Sequence, residues 1–281
     1  MSKAQVKSYA KLNLALHVIG KNSLLHRIET IVAFISFHDE IFIKKIKSNK
    51  HNISFSGKFS HNISRNNTIS KLLKILEKKK LLKDIKFKIK IIKKIPNKAG
   101  LGGGSMNAAS ILKYFVKKKI IKTSKKELIS ISKLIGSDVV LGLEFKNSIL
   151  NGRNEIKRFK NCKRFYTLII KPNFGCSTKE IYSKVQKFNN PKLNQPNKRM
   201  FDFDYLKKLD NSLEQIAFSK YPKLSKIKLF LEESYSPIFV RMTGSGSALV
   251  AYFQSKERCH KAKKHFSKNY KNYWCISSKT I

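Results

Sequence analysis

From Ile85 to Ile91 apolar residues fall at every second position, Ile85, Phe87, Ile89 and Ile91, with a lysine at each position between them. That is the period of a strand with one buried face, and it ends at Pro96. Upstream, Ile69, Leu72, Leu73 and Leu76 recur at helical spacing, with Asn67 or Thr68 available as N-cap. Ala108, Ile111, Leu112, Phe115 and Val116 mark one face of a second helix. Ser124 with Glu127 reads as a capping box that opens a third, carrying Leu128, Ile131, Leu134 and Ile135. Gly136 is placed to stop it. The stretches Phe165 to Lys171, Ile238 to Met242 and Ala248 to Phe253 read as buried strands. The polar segment 189–199, with two prolines, reads as a loop.

Both halves mix strands and helices, so the expected class is α+β. A boundary is expected at residues 155–163, where the turn-forming Asn151-Gly152 and a basic patch precede the next strand. That divides the chain into domains over 1–158 and 159–281.

The 281 residues suffice for a real core in each domain. No apolar run approaches the roughly 20 residues that cross a bilayer, and Met1 to Tyr9 lacks the apolar centre of a secretory leader. The expected location is therefore cytoplasmic. Cys162, Cys176, Cys259 and Cys275 are not spaced as a zinc or redox pair and are expected to be free thiols. The formal net charge of +43 raises nucleic acid or an anionic membrane as a partner. Lysine is spread over the whole length, however, and isoleucine and asparagine are abundant while alanine, arginine and glycine are scarce. This is the composition of a genome biased toward A and T, and most of the charge is read that way. Anionic ligands are attracted in either case.

The sharpest feature is Pro96-Asn97-Lys98-Ala99-Gly100-Leu101-Gly102-Gly103-Gly104-Ser105-Met106-Asn107-Ala108-Ala109, between the predicted strand and the second helix. Glycine permits positive φ and close approach of backbone to a ligand. The helix that follows aims its unpaired N–H groups and positive dipole end at the loop, which suits phosphate. Ser105 offers a hydroxyl to a phosphate or to its magnesium. No Lys-Ser/Thr follows the last glycine, so this is not a Walker A loop.

The string P-x-x-A-G-L-G-G-G-S-x-N-A-A resembles the ATP loop of the GHMP kinases. Ala10-Lys11-Leu12-Asn13 resembles the P-A-K-[IL]-N opening of that family, with Tyr9 in place of proline, and His17 follows in L-x-L-H. Gly136-Ser137-Asp138-Val139 resembles G-[AS]-D-[VI]-P, with Val140 in place of proline. Met242-Thr243-Gly244-Ser245-Gly246-Ser247 resembles the C-terminal glycine motif. The likeness covers about Val6 to Phe253. Leu25-His26-Arg27-Ile28-Glu29-Thr30, resembling G-Y-H-x-[LI]-x-[ST], and Gly152-Arg153-Asn154-Glu155, resembling G-R-G-E, point to the methylerythritol branch.

The resemblance implies a two-domain fold, an N-terminal ATP-loop domain plus a C-terminal ferredoxin-like domain, with the active site in the cleft between them. It implies transfer of the γ-phosphoryl of ATP, bound as ATP-Mg2+, to the C2 hydroxyl of a cytidine diphosphate-linked methylerythritol. Asp138 is the implied proton acceptor and Lys11 the cation that pairs with it and stabilises the moving phosphoryl. Asn13 binds the acceptor's hydroxyls, His26 reads the cytosine edge, and Thr178 and Tyr182 lie near the substrate phosphates and the base. Leu25 replaces an aromatic residue, leaving Tyr182 to stack alone. Asn67 lies by the adenine, and Ser105 is the candidate magnesium ligand. The implied partners are these small molecules, with no specific nucleic acid and no membrane, in a monomer or weak homodimer. Two alternatives stay open: a GHMP kinase for another alcohol, and a basic nucleic-acid-binding protein on an inactive kinase fold.

Overall fold

The computed structural model describes residues 4–22 and 25–281. In chain order the elements are β1 (Ala4–Lys21), β2 (His26–Ile46), β3 (Asn52–Ser56), α1 (Thr68–Lys78), β4 (Lys86–Ile92), α2 (Gly103–Lys117), α3 (Lys125–Ile135), β5 (Asn147–Leu150) and β6 (Ile156–Phe159). There follow β7 (Tyr166–Lys171), α4 (Thr178–Ser183), α5 (Phe203–Lys207), α6 (Glu214–Lys220), α7 (Pro222–Tyr235), β8 (Phe239–Met242), β9 (Leu249–Phe253), α8 (Lys256–Asn269) and β10 (Trp274–Lys279). No helix among the described residues is long and apolar enough to cross a membrane.

The chain packs as two compact units. One holds the chain up to Ala10 with Phe37–Asn97 and Gly102–Phe145; the other holds Lys11–Ser36, Lys98–Leu101 and Lys146–Ile281. They interleave because β1 and β2 are 18 and 21 residues long and each lends one end to either unit. This division by packing differs in kind from a single cut at residues 155–163.

In the first unit, Glu40 to Ile46 of β2 pair antiparallel with β4, and β3 pairs parallel with β4 on its other side. The alternation from Phe87 to Ile91 survives as predicted: Phe87, Ile89 and Ile91 are fully buried, while Lys88 and Lys90 are exposed. Ile111, Leu112 and Phe115 of α2, Leu72 and Leu76 of α1, and Ile131 of α3 complete that core. Asn67 caps α1 through a full capping box with Ser70. At α3 only half of the expected box forms. Ser124 Oγ accepts the Glu127 N–H at 3.1 Å, but the Glu127 carboxylate accepts the Thr123 hydroxyl at 2.9 Å. Leu134 is 53% exposed, against expectation. At about 100° per residue it lies roughly a quarter turn from the centre of the Leu128–Ile131–Ile135 stripe.

In the second unit, Thr30 to Val32 of β2 pair with β5, and β5 pairs with β6. A separate antiparallel sheet runs in the order β10-β7-β9-β8. Its core joins Leu168 and Ile170 with Leu224 and Leu231 of α7 and with Cys259, Ala262 and Phe266 of α8. Arg241 is buried within this unit and donates to the carbonyls of Leu14, Leu206 and Leu209. A guanidinium has no acceptor of its own, and these carbonyls meet the need of a charge taken out of water. All four cysteines are free.

Candidate active site

The first unit shapes the glycine-rich segment into an open helix start. Gly102 adopts φ 69° and starts α2, whose first helical bond runs from the Met106 N–H to Gly102 O at 2.9 Å. The amides of Gly103, Gly104 and Ser105 therefore lie in the open first turn, where a helix attracts an anion. The Thr68 hydroxyl donates to Gly104 O at 2.9 Å and fixes that turn from the side. Asn97 Nδ2 donates to Phe59 O at 3.0 Å. Asp138, half-buried, sits in a single 3-10 turn, Ser137–Val139. A Cβ placed on Gly136 would stand 3.9 Å from Ser105 Oγ, so the segment carrying Asp138 runs beside the start of α2. Asn67 commits its side chain to α1: Oδ1 accepts from the Ile69 and Ser70 N–H groups at 3.0 and 3.1 Å.

In the second unit, residues 98–101 bond to the turn after β8. Ser247 N–H donates to Lys98 O at 3.2 Å and Ala248 N–H to Ala99 O at 3.3 Å. At Gly100, φ is 73°, and a Cβ there would come within 1.8 Å of Thr243 O. No residue with a side chain fits this contact. Lys11 N–H donates to Leu101 O at 3.1 Å, and Lys11 Nζ donates to Asn13 Oδ1. Both side chains are buried. Asn13 Nδ2 donates to Thr30 Oγ1 at 2.8 Å, and the Asn13 N–H donates to Thr243 Oγ1 at 3.0 Å. The Thr243 hydroxyl donates on to Gly100 O at 3.2 Å. Asn211 Nδ2 holds the same turn through Met242 O and Gly244 O, each at 2.8 Å.

The second unit also brings the expected base-reading pair together. The rings of His26 and Tyr182 are 5.2 Å apart, tilted by 43°. Burial, helped by Lys21, holds the His26 imidazole below its ordinary value, so the ring is neutral at pH 7 and offers one donor and one acceptor. Thr178 Oγ1 lies 2.9 Å from Ser245 Oγ. Leu25 stands 70% exposed. Further along β2, Glu29 accepts from the Lys192 and Leu193 N–H groups at 2.8 and 2.9 Å and contacts His17 Nδ1 at 2.8 Å. His17 Nε2 is 3.1 Å from Asp210 Oδ1, an ion-pair distance with an alignment poor for hydrogen bonding. Burial opposes charge on His17, but Asp210 and Glu29 outweigh it and raise its pKa.

Thus Lys11 and Asn13 share one network, His26 and Tyr182 another, and Ser105 lies along the segment of Asp138. Sequence reasoning missed Asn211, which sits alone in a polar stretch with no periodic signal around it.

The family described as GHMP kinases N terminal domain matches residues 67–144. A crystal structure of 4-(cytidine 5'-diphospho)-2C-methyl-D-erythritol kinase superposes with a TM-score of 0.80, covering 99% of this chain and all of that one. At 22% identity, that likeness speaks for the fold. The 4-diphosphocytidyl-2-C-methyl-D-erythritol kinase of Petrotoga mobilis is 35% identical over 87% of this chain and 96% of its own. The enzyme of that name from Pelagibacter ubique is 54% identical over the whole of both chains. With its loop, its folded units and its full length all accounted for by such relatives, the chain belongs to the 4-diphosphocytidyl-2-C-methyl-D-erythritol kinases of the GHMP superfamily.

Proposed function

We infer that the chain phosphorylates the C2 hydroxyl of 4-diphosphocytidyl-2-C-methyl-D-erythritol with ATP, as a cytoplasmic enzyme of isoprenoid precursor synthesis. The observation that carries this reading is the full-length identity of 54% to a kinase of that name. The local geometry agrees with it.

Phosphoryl transfer has a loose transition state, so a protein contributes mainly position and charge. The open amides of Gly103, Gly104 and Ser105 fit the polyphosphate, with Pro96 to Asn107 as the surrounding loop and Asn67 by the adenine. Ser105 would hold the magnesium of ATP-Mg through its hydroxyl, and the ion would supply neutralisation of phosphate charge there. Lys11, oriented by Asn13, stabilises charge on the transferred group. Asp138 accepts the alcohol proton. An ordinary carboxylate is a weak base toward an alcohol, so its placement matters more than its basicity. Asn13 orients the acceptor's hydroxyls. Neutral His26 reads the cytosine edge, Tyr182 stacks on the base, and Thr178 binds near the diphosphate.

A coupled assay of ADP release, with and without the cytidine diphosphate acceptor, tests the reaction. Acceptor-dependent release that CDP inhibits is expected. Release with another alcohol and no inhibition by CDP would mark a different kinase of the superfamily. Duplex-DNA binding without any ADP release would mark an inactive fold.

A further inference from the structure

Asp39 is fully buried on β2 and gathers four donors. Oδ1 accepts the Lys94 N–H at 2.7 Å and the Ile95 N–H at 2.8 Å. Oδ2 accepts Asn107 Nδ2 at 3.0 Å and Lys93 Nζ. These donors come from the two ends of the glycine-rich segment. Lys93, Lys94 and Ile95 immediately precede Pro96, and Asn107 lies on the first turns of α2. Among the described residues the Asn107 side chain makes one hydrogen bond, to Asp39, and its buried Oδ1 has no partner. Lys93 Nζ lies under the open turn, 3.1 Å from where a Cβ on Gly103 would stand.

A buried ion pair is a poor source of stability, because two charges must leave water and an apolar pair of similar volume often does as well. The pair is also neutral as a whole, so it does not act as an anion site. What four bonds to one carboxylate supply is spacing, since they tie the strand exit to the helix start. We propose that Asp39 is a positioning residue for ATP. Through Lys93 to Ile95 on one side and Asn107 on the other, it sets the Gly103–Ser105 amides in place before the nucleotide arrives, without touching it. A site held ready in advance loses less freedom on binding. The inference rests on the nucleotide reading of this loop.

The strand exit has a second anchor, the Lys93 N–H on Ser56 O at 2.7 Å, which favours folding without Asp39. Two variants of the full chain test the inference. Asp39→Leu with Lys93→Met removes the carboxylate without leaving a bare buried charge, and Asn107→Ala cuts the α2 arm alone and decides the matter if the first does not fold. Each loses hydrogen bonding to a charged group, so the calorimetric Kd for ATP-Mg should rise about tenfold. The KM for the cytidine acceptor should stay unchanged. Unchanged ATP affinity, or equal losses for ATP and acceptor, would overturn the inference alone. A wild-type chain that binds no ATP would overturn it together with the nucleotide reading.

Discussion

Lys11 and Asn13 stand two residues apart on β1 and so leave the same face of the strand. The bond between them holds an ammonium with its stem buried. In the proposed reaction Lys11 and Asp138 serve one step. Lys11→Met and Asp138→Asn should each lower kcat by about 10²-fold or more, the scale of a charge stabiliser or a positioned proton acceptor. The double variant should lose little beyond the worse single one, because groups acting as a unit are not additive. Steady-state kinetics on the three variants decides this, and multiplicative losses would separate their roles. His26 allows a second test. Its pKa is held below 6.5 by burial and by Lys21, so acceptor KM should be flat from neutral pH upward and should rise only as acid protonates the ring. His26→Ala should erode the preference for cytidine over uridine acceptors more than it lowers kcat, because a site that hydrogen-bonds a base rejects the wrong one through its own unpaired groups. Competition between the two nucleotides measures that preference directly.

At the scale of elements, β1, β2, residues 192–193 and the segment between α5 and α6 meet around His17, Glu29 and Asp210. The raised pKa of His17 stabilises the fold fully below its ordinary value of 6.5, and the benefit fades as pH rises through the folded value. Glu29 must overcome burial, which its bonds to His17, Lys192 and Leu193 do; His17 lowers Asp210. Both carboxylates contribute above their ordinary values of 4.5 and 3.8 and lose that contribution as pH falls. The cluster is therefore most stabilising between pH 4.5 and 6.5. The Tm deficit of His17→Gln should be largest in that window and shrink toward alkaline pH, as thermal melts across the range would show. Elements with their own period were legible from sequence: β4, α1, α2 and α3 all stand where the alternation and caps put them. Others were not. Along β1, residues from Ser8 to Val18 are buried almost without a break, polar Lys11, Asn13 and His17 included, so no alternation announces the strand. On α8 the buried residues are only Cys259, Ala262 and Phe266, set in a run of lysines. For the site, the glycine segment spoke through several residues at once. Asp39, between His38 and Glu40, belongs to no motif and carries no periodic signal, and only the fold puts four donors around it.

Across the whole molecule the formal net charge is +43, on an enzyme whose proposed ligands are two polyanions. Diffuse charge of this kind raises the rate of encounter more than it strengthens the bound state. At about 0.1 M salt the screening length is only about 10 Å, so association with ATP should slow as salt is raised while dissociation changes less. Stopped-flow traces of a fluorescent ATP analogue at several salt concentrations would separate the two, and an association rate indifferent to salt would leave the charge without that role. The interleaving of the two packing units has another consequence, for how such a gene can be shuffled. Because the chain alternates between the units, with β1 and β2 shared by both, a single crossover within Lys11–Phe145 gives both units pieces from both parents. Viable chimaeras between distant relatives should then require parents already matched in the neighbours of these shared strands, and the two halves of the enzyme are bound to drift through evolution together.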